Sequence, residues 1–483
     1  MTADGLGGLP RSRRASTDRA GDAGSASRLV ATAAVEPARP PIRRLRTRGA
    51  STGVAVAGDV GSTFTKVAAV DLATGALVAT AERPTTVDTD VLDGLDAAIA
   101  DLGVTPSRVD VCSSAGGGLR LAVVGNEELV TVAAGQKVAL SAGARVVHVT
   151  AGRLDRTAVT TLAAHRPDVI LLVGGTDGGD EEVLRHNAAV LARSRGLRTP
   201  IVVAGNADVR DDALALLGPR AVGAANVLPR IGELNPEPAR AVIRDVFLRH
   251  VIGGKHLSRG RRFASLVRGP TPDLVLTAVT RLATVVGGDV LVVDVGGATT
   301  DVYSAIEAPD GPSRSDDVSG TAWHGRTVEG DLGVRASAPG IVDAAQRERL
   351  LGEAEAGPLL AAAQRRAAEP TFTAIDEEDR AVDVRLAELA ARIAVRRHVR
   401  GRDLRRVRLV VGSGGVLRHI PGAGDRVLRA ILTDHAGGWA PPESAQIVVD
   451  SSYVLAPAGL LAAAHPAATV RLLTTLAAAA YRT

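Results

Sequence analysis

Apolar runs that stop at an aspartate and a glycine repeat along this chain and set its organisation. Val54 to Val70 reads VAVAGDVGSTFTKVAAV: an apolar run, Asp59, Gly61, Ser62-Thr63, Thr65-Lys66, then a second apolar run. Val290 to Ser304 reads VLVVDVGGATTDVYS, with Asp294, Gly296-Gly297, Thr299-Thr300 and Asp301 in the same places. Short β-branched runs bounded by glycine predict a strand, a tight turn and a returning strand. Two such units predict an internal duplication. A third apolar run, Arg408 to Val411, ends in the turn Gly412-Ser413-Gly414-Gly415.

Between these units the periodicity alternates. Ala76 to Ala81 continues the first hairpin as a third strand, and Val91 to Leu102 has helical apolar spacing. Val109 to Gly125 reads as two strands about Gly116-Gly117-Gly118, followed by a helix over Asn126 to Gly143. Then strands (Arg145 to Val149, Val169 to Val173, Ile201 to Ala204) alternate with helices (Arg153 to His165, Glu181 to Ser194, Asp211 to Leu217). That alternation predicts a parallel α/β unit. Its loop Gly174-Gly-Thr-Asp-Gly-Gly179 feeds a helix, which suits either an anion site or a tight structural turn. No dinucleotide or P-loop spacing is present. Helices follow over Pro238 to Val251, Thr271 to Val286, Gly340 to Ala368, Val382 to Val399 and Arg426 to Leu432, while Ala308 to Val328 reads as an exposed polar excursion.

Composition changes this picture in three ways. Aromatics are 2% of 483 residues, so the core is built from Ala, Val and Leu. A single cysteine, Cys112, excludes an internal disulfide and a cysteine-based zinc site. No run approaches the roughly 18 apolar residues of a membrane span, so a cytoplasmic protein is expected. Residues 1–50 hold ten Arg against four acids, or +6 of a chain total of +4, leaving the body near −2. An Arg-, Gly-, Ser- and Pro-rich tail of this kind predicts disorder and solvation rather than a nucleic-acid surface.

The turns carry the chemistry. Glycine lets backbone approach a ligand, and N–H groups with serine and threonine hydroxyls can hold phosphate oxygens. Asp59 and Asp294 are candidates to hold the accompanying Mg²⁺, a hard cation that keeps several waters. The three turns in this order resemble the actin, Hsp70 and sugar-kinase superfamily of two-lobed ATPases. The resemblance implies ATP and Mg²⁺ as ligands, Asp59 to Lys66 as the first phosphate loop and Asp294 to Asp301 as the second. It places Gly412 to Gly415 against the adenosine and Lys66 at a phosphate. The expected architecture is therefore α/β: two actin-like (ribonuclease H-like) lobes with an inserted parallel module. The boundaries read as a disordered tail (1–52), first lobe (53–143), module (144–232), helical connection completing that lobe (233–285) and second lobe (286–483).

VILLVGGTDGGDEEV (169–183), RTVEGDLGVR (326–335), VVDVGGATTDVYS (292–304) and YVLAPAGLLA (453–462) narrow the reading. They resemble the glutamate mutase accessory protein, the methylaspartate mutase L component, a family unrelated to the mismatch-repair protein of similar older name. That resemblance runs from about Gly58 to Ala462. It implies an ATP-binding accessory protein, chaperone-like or reactivating, whose partners are the subunits of a cobalamin-dependent carbon-skeleton mutase. Hydrolysis is expected to be slow, because the loops offer no obvious strong base, and the module is expected to carry partner specificity. The alternatives are a small-molecule kinase, for which Asp177, Asp180 or Asp331 could serve as base, and an actin-like filament protein.

Overall fold

The computed structural model describes residues 53–306, 318–319, 324–369, 371–399 and 403–481. The basic tail and most of the polar excursion lie outside the described residues. In chain order the strands are β1 (Val54–Val60), β2 (Phe64–Asp71), β3 (Leu77–Pro84), β4 (Arg108–Ser113), β5 (Leu119–Gly125), β6 (Ala144–Ala151), β7 (Val169–Leu172) and β8 (Ile201–Val203). They continue with β9 (Ala221–Gly223), β10 (Val267–Pro270), β11 (Asp289–Val295), β12 (Thr300–Ala305), β13 (His324–Glu329), β14 (Val407–Ser413) and β15 (Gln446–Val449).

Two of the three sheets have one topology. The first is ordered β10-β4-β1-β2-β3 and the second β13-β12-β11-β14-β15. In each, an antiparallel three-strand meander is extended by two parallel strands. The central strands β1 and β11 are buried throughout except at one half-buried position, which is Asp59 in one and Asp294 in the other. Strands covered on both faces read as continuous apolar runs, which is why both hairpins stood out in the sequence. This is the duplicated, two-lobed actin-like architecture expected.

The third sheet is wholly parallel, ordered β6-β5-β7-β8-β9, with helices between successive strands. It interrupts the first lobe between β4 and β10. The equivalent connection in the second lobe, from β14 to β15, needs only the helices Gly415–His419 and Ala423–Leu432. The strand β5 belongs to this inserted sheet, although the sequence reading grouped it with the first lobe. Only a short glycine loop separates it from β4, so the two looked like one unit. Reading 233–285 as helical also missed β10, which completes the first sheet beside β4. Its sequence, VRGP, is too short and too mixed to show a strand period.

Two further differences matter for the site. His324–Glu329 is not an exposed excursion but a strand paired with β12, with Gly325 and Arg326 buried. The helix expected over Gly340 to Ala368 is two helices, Ala338–Arg347 and Glu353–Ala368, parted where Arg349 takes a φ of 57°.

The lobes meet on a shared core. Ala55 and Val70 of the first sheet, Val290 and Val292 of the second, and Leu276, Val279 and Leu282 of the helix Thr271–Val286 form one buried cluster. Leu472, Leu473 and Leu476 from the helix Pro466–Ala479 complete it. Because this cluster lies beneath both central strands, the two hairpin turns face each other across a cleft above it.

Candidate functional site

The cleft between the lobes has a volume of about 1600 Å³. Both hairpins line it, and their registers explain which side chains reach it. Side chains alternate across a strand. Asp59 pairs with Lys66, and Asp294 with Asp301, at equivalent positions of the two ladders. All four line the cleft. The turns repeat as well: the Gly61 N–H donates to the Phe64 carbonyl at 3.1 Å, and the Gly296 N–H to the Thr299 carbonyl at 2.9 Å. A Cβ on Gly61 would stand 2.8 Å from the Phe64 oxygen, and one on Gly296 would stand 2.9 Å from the Thr299 oxygen. Both turns therefore need glycine on steric grounds.

The remaining candidates divide. Ser62, Thr63 and Thr299 line the cleft, as does Ser413. Thr65 and Thr300 do not; they are fully buried on the other face of their strands. The Thr65 hydroxyl is 2.9 Å from that of Thr85, and the Thr300 hydroxyl donates to the Leu332 carbonyl at 2.6 Å. Thr65→Val and Thr300→Val should each lose about 1 kcal/mol of stability and leave nucleotide affinity unchanged, as denaturant melts and calorimetry on the same samples would establish. Gly297 carries no lining side chain. Its carbonyl accepts the N–H groups of Arg335 and Ala336 at 2.8 and 3.0 Å, which clasps the second hairpin to the TVEGDLGVR segment. Gly333 of that segment packs so close that a Cβ would lie 2.2 Å from the Ala298 carbonyl carbon.

Gly412, Gly414 and Gly415 do not line the cleft, whereas Ser413 between them does. A Cβ on Gly412 would press on Leu417 at 2.8 Å, and one on Gly414 would reach the Val295 carbonyl oxygen at 2.1 Å. Gly414 packs β14 against β11 and Gly412 packs it against the helices that follow, while Gly415 is exposed and a Cβ there would meet nothing within 4 Å.

Four cleft residues lie far from the hairpins in sequence and were missed. Thr271, at the start of the helix Thr271–Val286, donates to Asp59 Oδ1 at 2.6 Å. Arg418 donates to the Ser413 hydroxyl and the Asp450 carbonyl, both at 2.8 Å. The Asp450 carboxylate caps the helix Leu455–Leu461, accepting the N–H groups of Val454 and Leu455 at 2.7 and 3.1 Å. An Asp a few residues ahead of an apolar helix is a readable capping signal. Tyr453 has a φ of 54°, and its hydroxyl donates to Glu82 at 2.8 Å. Its ring lies 3.6 Å from the Arg418 guanidinium and 4.4 Å from Lys66 Nζ. Lys66 therefore rests on an aromatic face within the cleft.

Several carboxylates of the cleft are desolvated and lie close to one another. Burial pushes the Asp59 carboxyl above its ordinary value, against the opposing pull of Lys66 and Thr271, and the charge of Asp294 adds to the push. Burial also raises Asp301 against its partner Arg326, and Asp450 against Arg418, with Asp294 again contributing upward in both. Desolvation disfavours the charged form, and neighbouring carboxylates compound it. Asp294 itself, half-buried, makes no side-chain hydrogen bond or ion pair with the described residues. Among the described residues no three acid, histidine or cysteine side chains stand close enough to hold a metal by themselves, so the residues present fit only an ion such as Mg²⁺ that takes one or two carboxylates and keeps its waters. Asp294 is the better donor of the two candidates, since Asp59 is already engaged by Thr271.

The loop Gly174 to Gly179 is a stapled turn. Asp177 accepts the Ala207 N–H at 3.0 Å and the Asn226 amide at 2.9 Å, while the Gly178 N–H donates to Asp208 at 3.0 Å. A Cβ on Gly175 would lie 2.1 Å from the Asp180 carbonyl oxygen. The loop sits at the carboxyl end of β7, where the strand order of the parallel sheet reverses about β5.

Among the described residues no helix is long and apolar enough to cross a membrane. Comparison with solved structures finds distant likenesses. The nucleotide-free structure of acetone carboxylase is 14% identical with a TM-score of 0.38, covering 85% of this chain and 70% of that one. A ROK family glucokinase from Streptomyces griseus is 13% identical with a TM-score of 0.31, covering 88% and 99%. In sequence, a curated relative from Clostridium tetanomorphum, "Protein MutL", is 34% identical over 450 residues, spanning 86% of this chain and 97% of its own. The family model described as "MutL protein" matches residues 55–476. The chain belongs to the MutL protein family, the glutamate mutase accessory family that its motifs resemble.

Proposed function

We propose that this chain is an ATP- and Mg²⁺-binding accessory protein for a cobalamin-dependent carbon-skeleton mutase such as glutamate mutase. The observation that carries the reading is the pair of equivalent hairpins whose acids, hydroxyls and Lys66 converge on one cleft. When bound, Mg²⁺ would neutralise phosphate charge, with Asp294 and then Asp59 as its protein carboxylates. Ser62, Thr63 and Thr299 would donate to phosphate oxygens. Lys66 would leave the Tyr453 ring for a phosphate, a short move for a flexible side chain.

Two properties of the chain favour a partner-driven role over an independent enzyme. Asp59, Asp301 and Asp450 are held by Thr271, Arg326 and helix N–H groups, and with Asp294 on the metal none of these acids is left to activate water. The inserted module also presents an exposed flank at the carboxyl ends of β5 and β9, where Leu129 is 77% and Ile231 is 61% accessible. We infer that this flank grips the mutase while the lobes sense nucleotide. Lobe rotation amplified through an inserted body is a familiar way to convert ligand state into grip. The expected result is slow ATP hydrolysis alone and about tenfold faster hydrolysis with mutase, because a partner supplies closure. Leu129→Ser should reduce that stimulation without changing ATP affinity. Rapid turnover by the isolated chain, indifferent to mutase, would instead indicate a small-molecule kinase.

A further inference from the structure

The cleft is larger than a nucleotide needs. Ligand pockets are ordinarily about 300–1,000 Å³, against about 1600 Å³ here. Beyond the hairpins it continues between the inserted module and the second lobe. One wall is the helix Ala133–Ser141 and the start of β6; the other is β13. This end is basic. Lys137 and Arg145 project from the module wall, Arg326 from β13, and Arg406 from the approach to β14. Among the described residues the acids nearby are largely committed, with Asp301 paired to Arg326 at 3.2 Å and Asp403 to Arg405 at 2.6 Å, and Lys137 itself donates to the Ser319 hydroxyl at 2.7 Å. Asp289 lies buried at the root of β11.

Arg326 is the informative residue. It is only 8% exposed, and its Nη1 and Nη2 groups donate to the Leu140 carbonyl at 3.4 Å and to Asp301 at 3.2 Å. Its Nε–H, buried, has no hydrogen-bond partner among the described residues. A buried guanidinium donor left unpaired is costly, and of the three arginine Nε groups so placed among the described residues, with those of Arg240 and Arg392, Arg326 is the one that lines the cleft. Across the same end of the cleft, Arg145 is exposed and makes no ion pair with any described residue. Arg326 has Asp301 as a counter-charge whereas Arg145 has none among the described residues, and an anion between the walls would supply it. Arginine is also the side chain best shaped to grip carboxylate or phosphate oxygens.

We propose that this module-facing end of the cleft binds a small oxyanion-bearing molecule, a carboxylate or a phosphate, that bridges Arg145 to Arg326. The site is separate from the phosphate loops, and a ligand there would tie the module to the second lobe. It shares the cleft with the nucleotide reading but does not depend on it.

The test uses the full chain saturated with Mg²⁺ and a non-hydrolysable ATP analogue, titrated calorimetrically with inorganic phosphate and, separately, with succinate. At least one probe should bind, and the preferred one identifies the oxyanion. Arg145→Ala should weaken that binding about tenfold or more, the loss of one charge-assisted contact. Arg145→Lys should restore part of it, and the affinity for the analogue should stay within about twofold of the parent. Arg406→Ala provides a second exposed position should the first variant fold poorly. Absence of binding by both probes overturns the proposal. So does binding that both variants retain at parental strength. If the analogue itself fails to bind, the same titrations on the analogue-free parent and Arg145→Ala chains still decide the anion site, because anion binding at the phosphate loops does not depend on Arg145.

Discussion

Asp294→Ala should weaken Mg²⁺-dependent ATP binding on the order of 100-fold, the scale expected when one partner of a buried charge pair is removed. The same change should leave the unliganded fold as stable as the parent or more so. The charge of Asp294 adds to the upward push on Asp59, Asp301 and Asp450, a like-charge repulsion that the substitution relieves. Each of those groups then loses an upward push and ionises more readily. ATP binding in excess chelator should change little or improve, because an anion has been taken from a site that receives phosphates. This pattern of lost metal-dependent affinity, kept metal-free affinity and a steady or raised melting temperature separates metal binding from damage to the fold. It is the usual trade between stability and a functional site. Calorimetry with and without Mg²⁺, paired with thermal melts, reads all three. An affinity for Mg·ATP within about threefold of the parent would remove Asp294 from the metal site.

How far the sequence disclosed this site depends on how local each feature is. The two hairpins were legible because acid, glycine and hydroxyl follow one another within a dozen residues and sit between buried runs. Asp59, Lys66, Asp294 and Asp301 were found in that way, and their matched registers place all four in the cleft. Thr65 and Thr300 were chosen with them because a hydroxyl beside a glycine turn looks the same on either face of a strand. Only the ladder shows that they point into the core. Thr271, Arg418, Asp450 and Tyr453 come from elements joined by folding alone, and no spacing connects Thr271 to Asp59 across the intervening module. The segment TVEGDLG was marked as family-like without a role. Its role is mechanical, since Gly333 and the backbone of Arg335 hold the second hairpin in place. Strands β10 and β15 stayed hidden because VRGP and QIVV are short and mix apolar with polar or turn-forming residues, unlike the equally short but wholly apolar β7 and β8.

The turn Gly412-Ser413-Gly414-Gly415 allows a direct contest between ligand approach and packing as the reason for its glycines. Gly414 has a φ of +113°, and a Cβ there would meet the oxygen, carbon and nitrogen of Val295 at 2.1, 2.9 and 3.1 Å. All three atoms are backbone, and Val295 ends the strand that carries Asp294, so no side chain can swing aside. Gly414→Ala must part β14 from β11 where Asp294 pairs with Ser413. Backbone strain and overpacking each cost about 1–3 kcal/mol. A combined loss of about 3–5 kcal/mol is a large share of the roughly 5–15 kcal/mol that holds a domain. Gly412 meets only the movable ends of Leu417 and Leu428, at 2.8 and 3.1 Å, so Gly412→Ala should cost less. Gly415 has nothing within 4 Å and opens the helix Gly415–His419. There alanine should be neutral or stabilising by up to about 1 kcal/mol. Denaturant melts should therefore rank the three as Gly414, Gly412, Gly415 in falling cost. If the turn were glycine-rich chiefly to admit adenosine, the order would reverse in the binding assay. Gly415→Ala would then lose ATP while keeping its fold, and Gly414→Ala would fold and bind like the parent. That outcome would overturn the packing account and return the adenosine to this turn.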